Sequence, residues 1–110
     1  MSSNNFDEVI LEPLQKAINN KKSKKLIIVH LMGTHIRYKE RYPEAFNKFN
    51  TTPKTKFNHD LAHKTINSYD NAVLYNGSIV YSIIEQVKKQ NKSSSYVLYL
   101  SDHGEDVYYN

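Results

Sequence analysis

Tyr96-Val-Leu-Tyr-Leu-Ser-Asp-His-Gly-Glu105 is the stretch on which the reading of this chain turns. A short apolar run rich in β-formers stops at Ser101. Asp102, His103, Gly104 and Glu105 follow, all with usable chemistry. A buried strand that empties into such a loop is a common layout of an α/β active site: the strand fixes the position and the loop at its carboxyl end carries the ligands. Gly104 lets the backbone turn where a side chain would clash. Asp102 offers carboxylate oxygen and His103 imidazole nitrogen, both good ligands for Zn²⁺ or a related divalent ion. Taken alone, the tripeptide reads equally well as a polar turn after a strand.

A second segment repeats the pattern. Leu26-Ile-Ile-Val-His-Leu-Met32 is almost continuously apolar, as a strand covered on both faces should be, and it runs into Gly33-Thr34-His35. His30 lies inside the run, where a histidine is more often a satisfied core residue than a ligand; His35 lies past its end. Between the two segments, residues 61–90 carry an apolar stripe at helical spacing: Ile66, Tyr69, Val73, Val80, Ile83, Ile84 and Val87. Asn76 falls on that stripe, which demands a buried partner or a bend. Strand, helix and strand most simply form a right-handed parallel βαβ unit, with strands near 25–32 and 96–101. Parallel strands present their carboxyl ends on one edge, so Gly33-Thr34-His35 and Asp102-His103-Gly104 become one candidate site.

The rest of the chain is less informative. Residues 5–20 read as a helix capped by Asn4 or Asn5, with Asp7 and Glu8 in its first turn and Pro13 kinking or splitting it. Residues 36–60 are irregular, with a short helical piece at 43–49 tacked down by Tyr38, Tyr42, Phe46 and Phe49. His59 and His63 have the spacing of a helical metal pair but no third ligand, so exposed polar residues are the plainer reading. The 110 residues suit one domain or part of one. There is no Cys, which excludes disulfides and thiolate metal sites. The net charge of +4 sits mostly in short Lys runs. It favours anionic partners mildly and does not establish nucleic-acid binding, and no nucleic acid is expected. No apolar run approaches a membrane span.

Four pieces, in this order and spacing, resemble the catalytic domain of bacterial phosphoethanolamine transferases, a branch of the alkaline phosphatase/sulfatase superfamily. They are His30-Leu-Met-Gly-Thr-His35, Arg41-Tyr42-Pro43, Tyr69-Asp70-Asn71 and Tyr99-Leu-Ser-Asp-His-Gly-Glu-Asp106. The resemblance runs from about Asp7 onward. It implies that residues 1–110 are an internal part of a three-layer α/β/α domain. Asp102 and His103 would be two ligands of a catalytic Zn²⁺, His35 would contact the phosphoryl group of the substrate, and His30 would be its companion in the cleft. It also implies a nucleophilic threonine upstream, so Thr34 is not the nucleophile. The whole protein would move phosphoethanolamine from phosphatidylethanolamine to lipid A or another envelope glycan. It would sit in the inner membrane with this domain in the periplasm. Asn76-Gly77 departs from the Thr-Asp usual at that place in the family. Alone, the 110 residues are expected to be inactive and to self-associate through open sheet edges. Two alternatives from other classes stand beside this: part of a sulfatase- or phosphatase-type hydrolase, and a non-catalytic basic module for anionic polymers.

Overall fold

The computed structural model describes residues 5–90 and 92–108. Its spine is one helix, α2, Asp60–Gln90. At a rise of 1.5 Å per residue its 31 residues span about 46 Å, most of the 55 Å long axis. The radius of gyration is 16.8 Å, against roughly 13 Å for a compact chain of this length. The layer packed on α2 therefore builds a strip of core, not a sphere. That strip is Leu14, Tyr42, Ala62, Ile66, Ala72, Tyr75, Ile79 and Val107, with Phe6, Leu11, Leu31, Tyr38, Phe46 and Ile83 packed at its edge.

The expected stripe is rotated around α2. Ile66 is buried as expected, but Ala72, Tyr75 and Ile79 complete the packed line, while Val73 and Ile84 are exposed. Small Ala62 and Ala72 are fully buried, so their low hydrophobicity understated their burial. α2 runs unbroken through Asn76 and Gly77, and of the two outcomes expected at Asn76, a partner or a bend, the partner is found in the Tyr99 hydroxyl.

The N-terminal helix divides as Pro13 suggested. A 3-10 turn, Asp7–Ile10, leads into α1, Leu11–Asn19. Pro13 then falls in the first turn of α1, where its missing N–H costs nothing. Asn5 makes no cap, and Asn4 lies outside the described residues. Tyr75 docks this segment. Its hydroxyl accepts from the Glu8 N–H at 3.2 Å and donates to Glu8 Oε1 at 3.4 Å, and its ring meets Phe6 and Phe46 edge-on. Gln86 adds a bond from Nε2 to the Leu11 carbonyl.

Residues 36–59 cross α2 without long elements, with 3-10 turns at Tyr38–Glu40 and Glu44–Phe46. Asn71 holds them. It is 1% exposed, and its Oδ1 accepts from the N–H groups of Lys48 and Phe49, both at 2.8 Å. Its Nδ2 lies within donor range of the Phe49 carbonyl, Asn47 Oδ1 and the Tyr42 hydroxyl. Of the four aromatics expected to tack this stretch down, Tyr38, Tyr42 and Phe46 do so; Phe49 leaves its ring 43% exposed and is held by its backbone.

The expected βαβ unit is not formed among the described residues. Residues 25–32 and 96–101 are irregular, and no backbone hydrogen bond joins them. Leu26, Ile28, Tyr96 and Leu98 are all more than four-fifths exposed. A strand exists only by pairing its N–H and C=O groups with neighbours, and the residues described here supply a helix layer without a ladder partner. The apolar patterning of both segments is real, but among the described residues nothing covers it.

Two outcomes follow from this packing. Asn71→Ala removes the acceptor shared by the part-buried N–H groups of Lys48 and Phe49, of which Lys48 keeps the Phe46 carbonyl, and should lower stability by about 1–2 kcal/mol, read as a drop in the urea midpoint at constant slope. Burial, helped by the Glu8 carboxylate and opposed by the Glu8 N–H, raises Tyr75 from its ordinary 10.0 to about 12. The fold therefore favours the neutral phenol. The stability tied to it is complete below about pH 10 and is lost as the pH climbs toward 12. Spectrophotometric titration should find a tyrosine that ionises near pH 12, and Tyr75→Phe should remove that step.

Candidate functional site

The Gly33 turn is built from three sides. Gly33 has φ +55°, a left-handed conformation that glycine adopts freely, and the His35 N–H bonds to the Met32 carbonyl at 3.0 Å. The Asp7 carboxylate accepts from the N–H groups of Met32 at 3.1 Å and Gly33 at 2.8 Å. Asp7 thus acts as a clamp on the turn, not merely as an acid near a helix N-terminus. Arg41 closes the other side, donating from Nε to the His35 carbonyl at 3.3 Å and from Nη2 to the Ile36 carbonyl at 3.1 Å. The His35 ring is exposed, with Nδ1 3.4 Å from the Ile36 carbonyl. His30 is exposed too, not a satisfied core residue.

The second loop is local in its bonding. Ser101 Oγ donates to the His103 carbonyl at 2.6 Å. His103 Nδ1 lies 2.8 Å from the Gly104 carbonyl, a contact that needs a proton on Nδ1 and leaves Nε2 as the free lone pair. Nε2 stands 3.8 Å from Asp102 Oδ1. The Gly104 carbonyl, then the Asp102 charge, hold the His103 imidazole above the ordinary histidine range.

Side chains join the two loops. Asn76 donates from Nδ2 to the Tyr99 hydroxyl at 2.8 Å, and its Oδ1 lies 3.5 Å from where a Cβ on Gly33 would stand. One residue of α2 thereby touches the approach to both motifs. Tyr38 makes the second link: its hydroxyl donates to Glu105 Oε2 at 3.3 Å while its ring packs edge-on against Tyr69 of α2. Burial, then Glu105, raise the Tyr38 phenol. Of these positions the sequence singled out Asn76 as an outlier on its stripe, Asp7 as an acid in a first helical turn, Tyr38 as an aromatic anchor and Glu105 as a residue of the motif; their partners, 25 to 67 residues away, carried no signal.

The donor set fits a zinc ion in part. Zinc ligands at about 2.0–2.2 Å place adjacent donor atoms a little over 3 Å apart, near the separation of Asp102 Oδ1 and His103 Nε2. A metal-binding histidine usually gives its other N–H to a carbonyl, as His103 does. Among the described residues, however, no three histidine, aspartate or glutamate side chains converge to complete a shell. The His59–His63 pair is not an alternative. His59 Nδ1 accepts from the Ala62 N–H at 3.1 Å, so it caps α2, and its ring packs edge-on against Tyr108.

The Sulfatase family model matches residues 2–110. Phosphoethanolamine transferase EptC of Escherichia coli K12 is 45% identical over 109 residues, covering 97% of this chain and 19% of that protein. Phosphoethanolamine transferase CptA of Salmonella typhimurium is 41% identical over 111 residues, with the same coverage of each. The crystal structure of the C-terminal periplasmic domain of E. coli EptC in complex with Zn superposes with a TM-score of 0.77 at 44% identity, over 83% of this chain and 26% of that one. The chain therefore spans about a fifth of the length of these curated relatives. The match over residues 2–110 places this chain in the sulfatase family.

Proposed function

We propose that this chain is part of the catalytic domain of a zinc-dependent phosphoethanolamine transferase. The observation that carries the reading is the 45% identity to such a transferase across 97% of the chain, with the Asp102-His103 and His35 motifs inside the matched span. The whole protein would take phosphoethanolamine from phosphatidylethanolamine and deliver it to lipid A or another envelope glycan. Its place would be the inner membrane, with this domain in the periplasm. Residues 25–32 and 96–101 would be parallel strands of an α/β/α sheet whose other strands lie elsewhere in the longer protein. The exposure of both segments supports this, because each carries the side chains of a strand covered on both faces.

Asp102 Oδ1 and His103 Nε2 would hold the zinc ion, with further ligands from outside residues 1–110. Bound there, zinc supplies Lewis acidity for phosphoryl transfer. His103 keeps its tautomer through the Gly104 carbonyl, so its ligating nitrogen is fixed beforehand. His35 donates to an equatorial phosphoryl oxygen as charge develops, and the Asp7 and Arg41 clamps hold its turn in place. His30 lines the same cleft. The nucleophilic threonine is placed outside residues 1–110, and Thr34 has no part in the chemistry.

These roles separate under substitution. In the full-length protein, His103→Ala should lower bound zinc and headgroup release together. His35→Ala should lower headgroup release by about 10²–10³ and leave zinc in place. Metal analysis beside the turnover assay decides it, and loss of zinc on His35→Ala would exchange the two assignments. The family match alone also accommodates a hydrolase; release of sulfate from an aryl sulfate, without transfer of phosphoethanolamine, would favour that reading. The unpaired apolar segments predict self-association of the 110-residue chain, and a monomer by light scattering at high concentration would count against it.

A further inference from the structure

Beside the His35 turn lies a shallow groove of about 280 Å³, lined by Arg37, Tyr38, Lys39, Lys64, Thr65 and Ser68. Its walls are the 3-10 turn Tyr38–Glu40 and the early turns of α2. Three cations face one hollow with the hydroxyls of Thr65 and Ser68, while the third hydroxyl, of Tyr38, is taken by Glu105; this donor set suits phosphate oxygens. Arg37 is held in the left-handed conformation at φ 63°, which strains a residue with a Cβ. The Glu40 N–H bond to the Arg37 carbonyl at 2.8 Å and the Arg41 bonds to the two preceding carbonyls maintain it. Strain of this kind is often kept where a side chain must be aimed. The nearby carboxylates are Glu40, 3.6 Å from Arg37, and Glu105, which is bonded to the Tyr38 hydroxyl.

We infer that this groove is a subsite for a phosphate group carried by the acceptor. The inference rests on the transferase reading above. Phosphatidylethanolamine has one phosphate, which belongs at the reacting centre, and its ammonium leaves it with no net charge. A groove with three cations is therefore unsuited to the donor and suited to an anionic second substrate. Tyr38 places the groove next to the reacting centre, since it follows His35 by three residues and its hydroxyl reaches Glu105, two residues beyond His103.

The test uses the full-length protein and the double variant Lys39→Glu/Lys64→Glu. A glucosamine-based lipid with a phosphate monoester is compared with the same lipid dephosphorylated. Calorimetry on zinc-free protein should show wild type preferring the phosphorylated lipid, and the variant losing about tenfold of that affinity. With zinc restored, the variant's KM for the phosphorylated acceptor should rise by a similar factor while kcat changes little. Lys39→Gln/Lys64→Gln should lie between, and matching thermal melts show that the variants are folded. Equal affinity of wild type and variant for the phosphorylated lipid overturns the proposal, as does a wild type blind to the phosphate. Lysine-dependent binding to phosphatidylcholine vesicles containing phosphatidylglycerol, equal to that for the acceptor, also overturns it by assigning the groove to the membrane surface. If zinc-loaded wild type releases no headgroup from phosphatidylethanolamine, the transferase reading fails, while the zinc-free binding arm still decides the groove.

Discussion

The side-chain amide of Asn71 is the contact on which the loop half of the structure depends. Residues 41–50 contain one short 3-10 turn, Glu44–Phe46, whose few backbone bonds satisfy only part of the stretch. An amide carries acceptor and donor on one plane, and Asn71 presents both to this loop from the buried face of α2. Aspartate would keep the acceptor and lose the donors; leucine would lose both. With the loop held, Tyr42 and Phe46 cover Ala72, Tyr75 and Ile79, and the core strip closes. Arg41 is then positioned to reach back to His35 and Ile36, so a structural bond on one side of the loop sets a functional turn on the other.

Helices were legible in the sequence and strands were only half legible, for one physical reason. A helix satisfies its backbone within itself, so α2 could be placed to within a residue from periodicity. Which face it buries was less secure, because that depends on what approaches it, and the buried face includes small Ala62 and Ala72. A strand has no internal satisfaction. Leu26–Met32 and Tyr96–Leu100 show what a buried strand needs in side chains, but a ladder requires a second backbone at about 4.8 Å, and sequence pattern cannot supply one. The pairing expected between the two segments is not formed among the described residues.

The site divides in the same way. Asp102-His103-Gly104 was legible because its chemistry is local: carboxylate, imidazole and the carbonyl that sets the tautomer are consecutive. His35 was legible from its place after an apolar run. The parts that position them were not, because each acts across a long stretch of chain. Asp7 clamps a turn 26 residues away, and Tyr38 reaches Glu105 across 67. Asn76 was visible only as a misfit. A polar residue on an apolar stripe announces a partner without naming it, and the partner is the Tyr99 hydroxyl.

The same links explain how a metal site can be divided between distant parts of a chain. Zinc affinity falls when ligands must be ordered on binding, because the conformational entropy is then lost at that step. Here much of the ordering is done by bonds that involve no metal. Gly104 fixes the His103 tautomer, Asn76 ties the segment before Asp102 to α2, and Asn76 also lies against the Gly33 turn that carries His35. Asn76 Oδ1 is buried and without a hydrogen-bond partner among the described residues, so this position retains an acceptor for a donor from elsewhere. A threonine could donate to Tyr99 or accept from it, but it could not extend a second polar atom along the helix toward Gly33. Asn76 therefore bridges the Tyr99 hydroxyl and the Gly33 turn with one uncharged side chain, and it does so from a single position on α2.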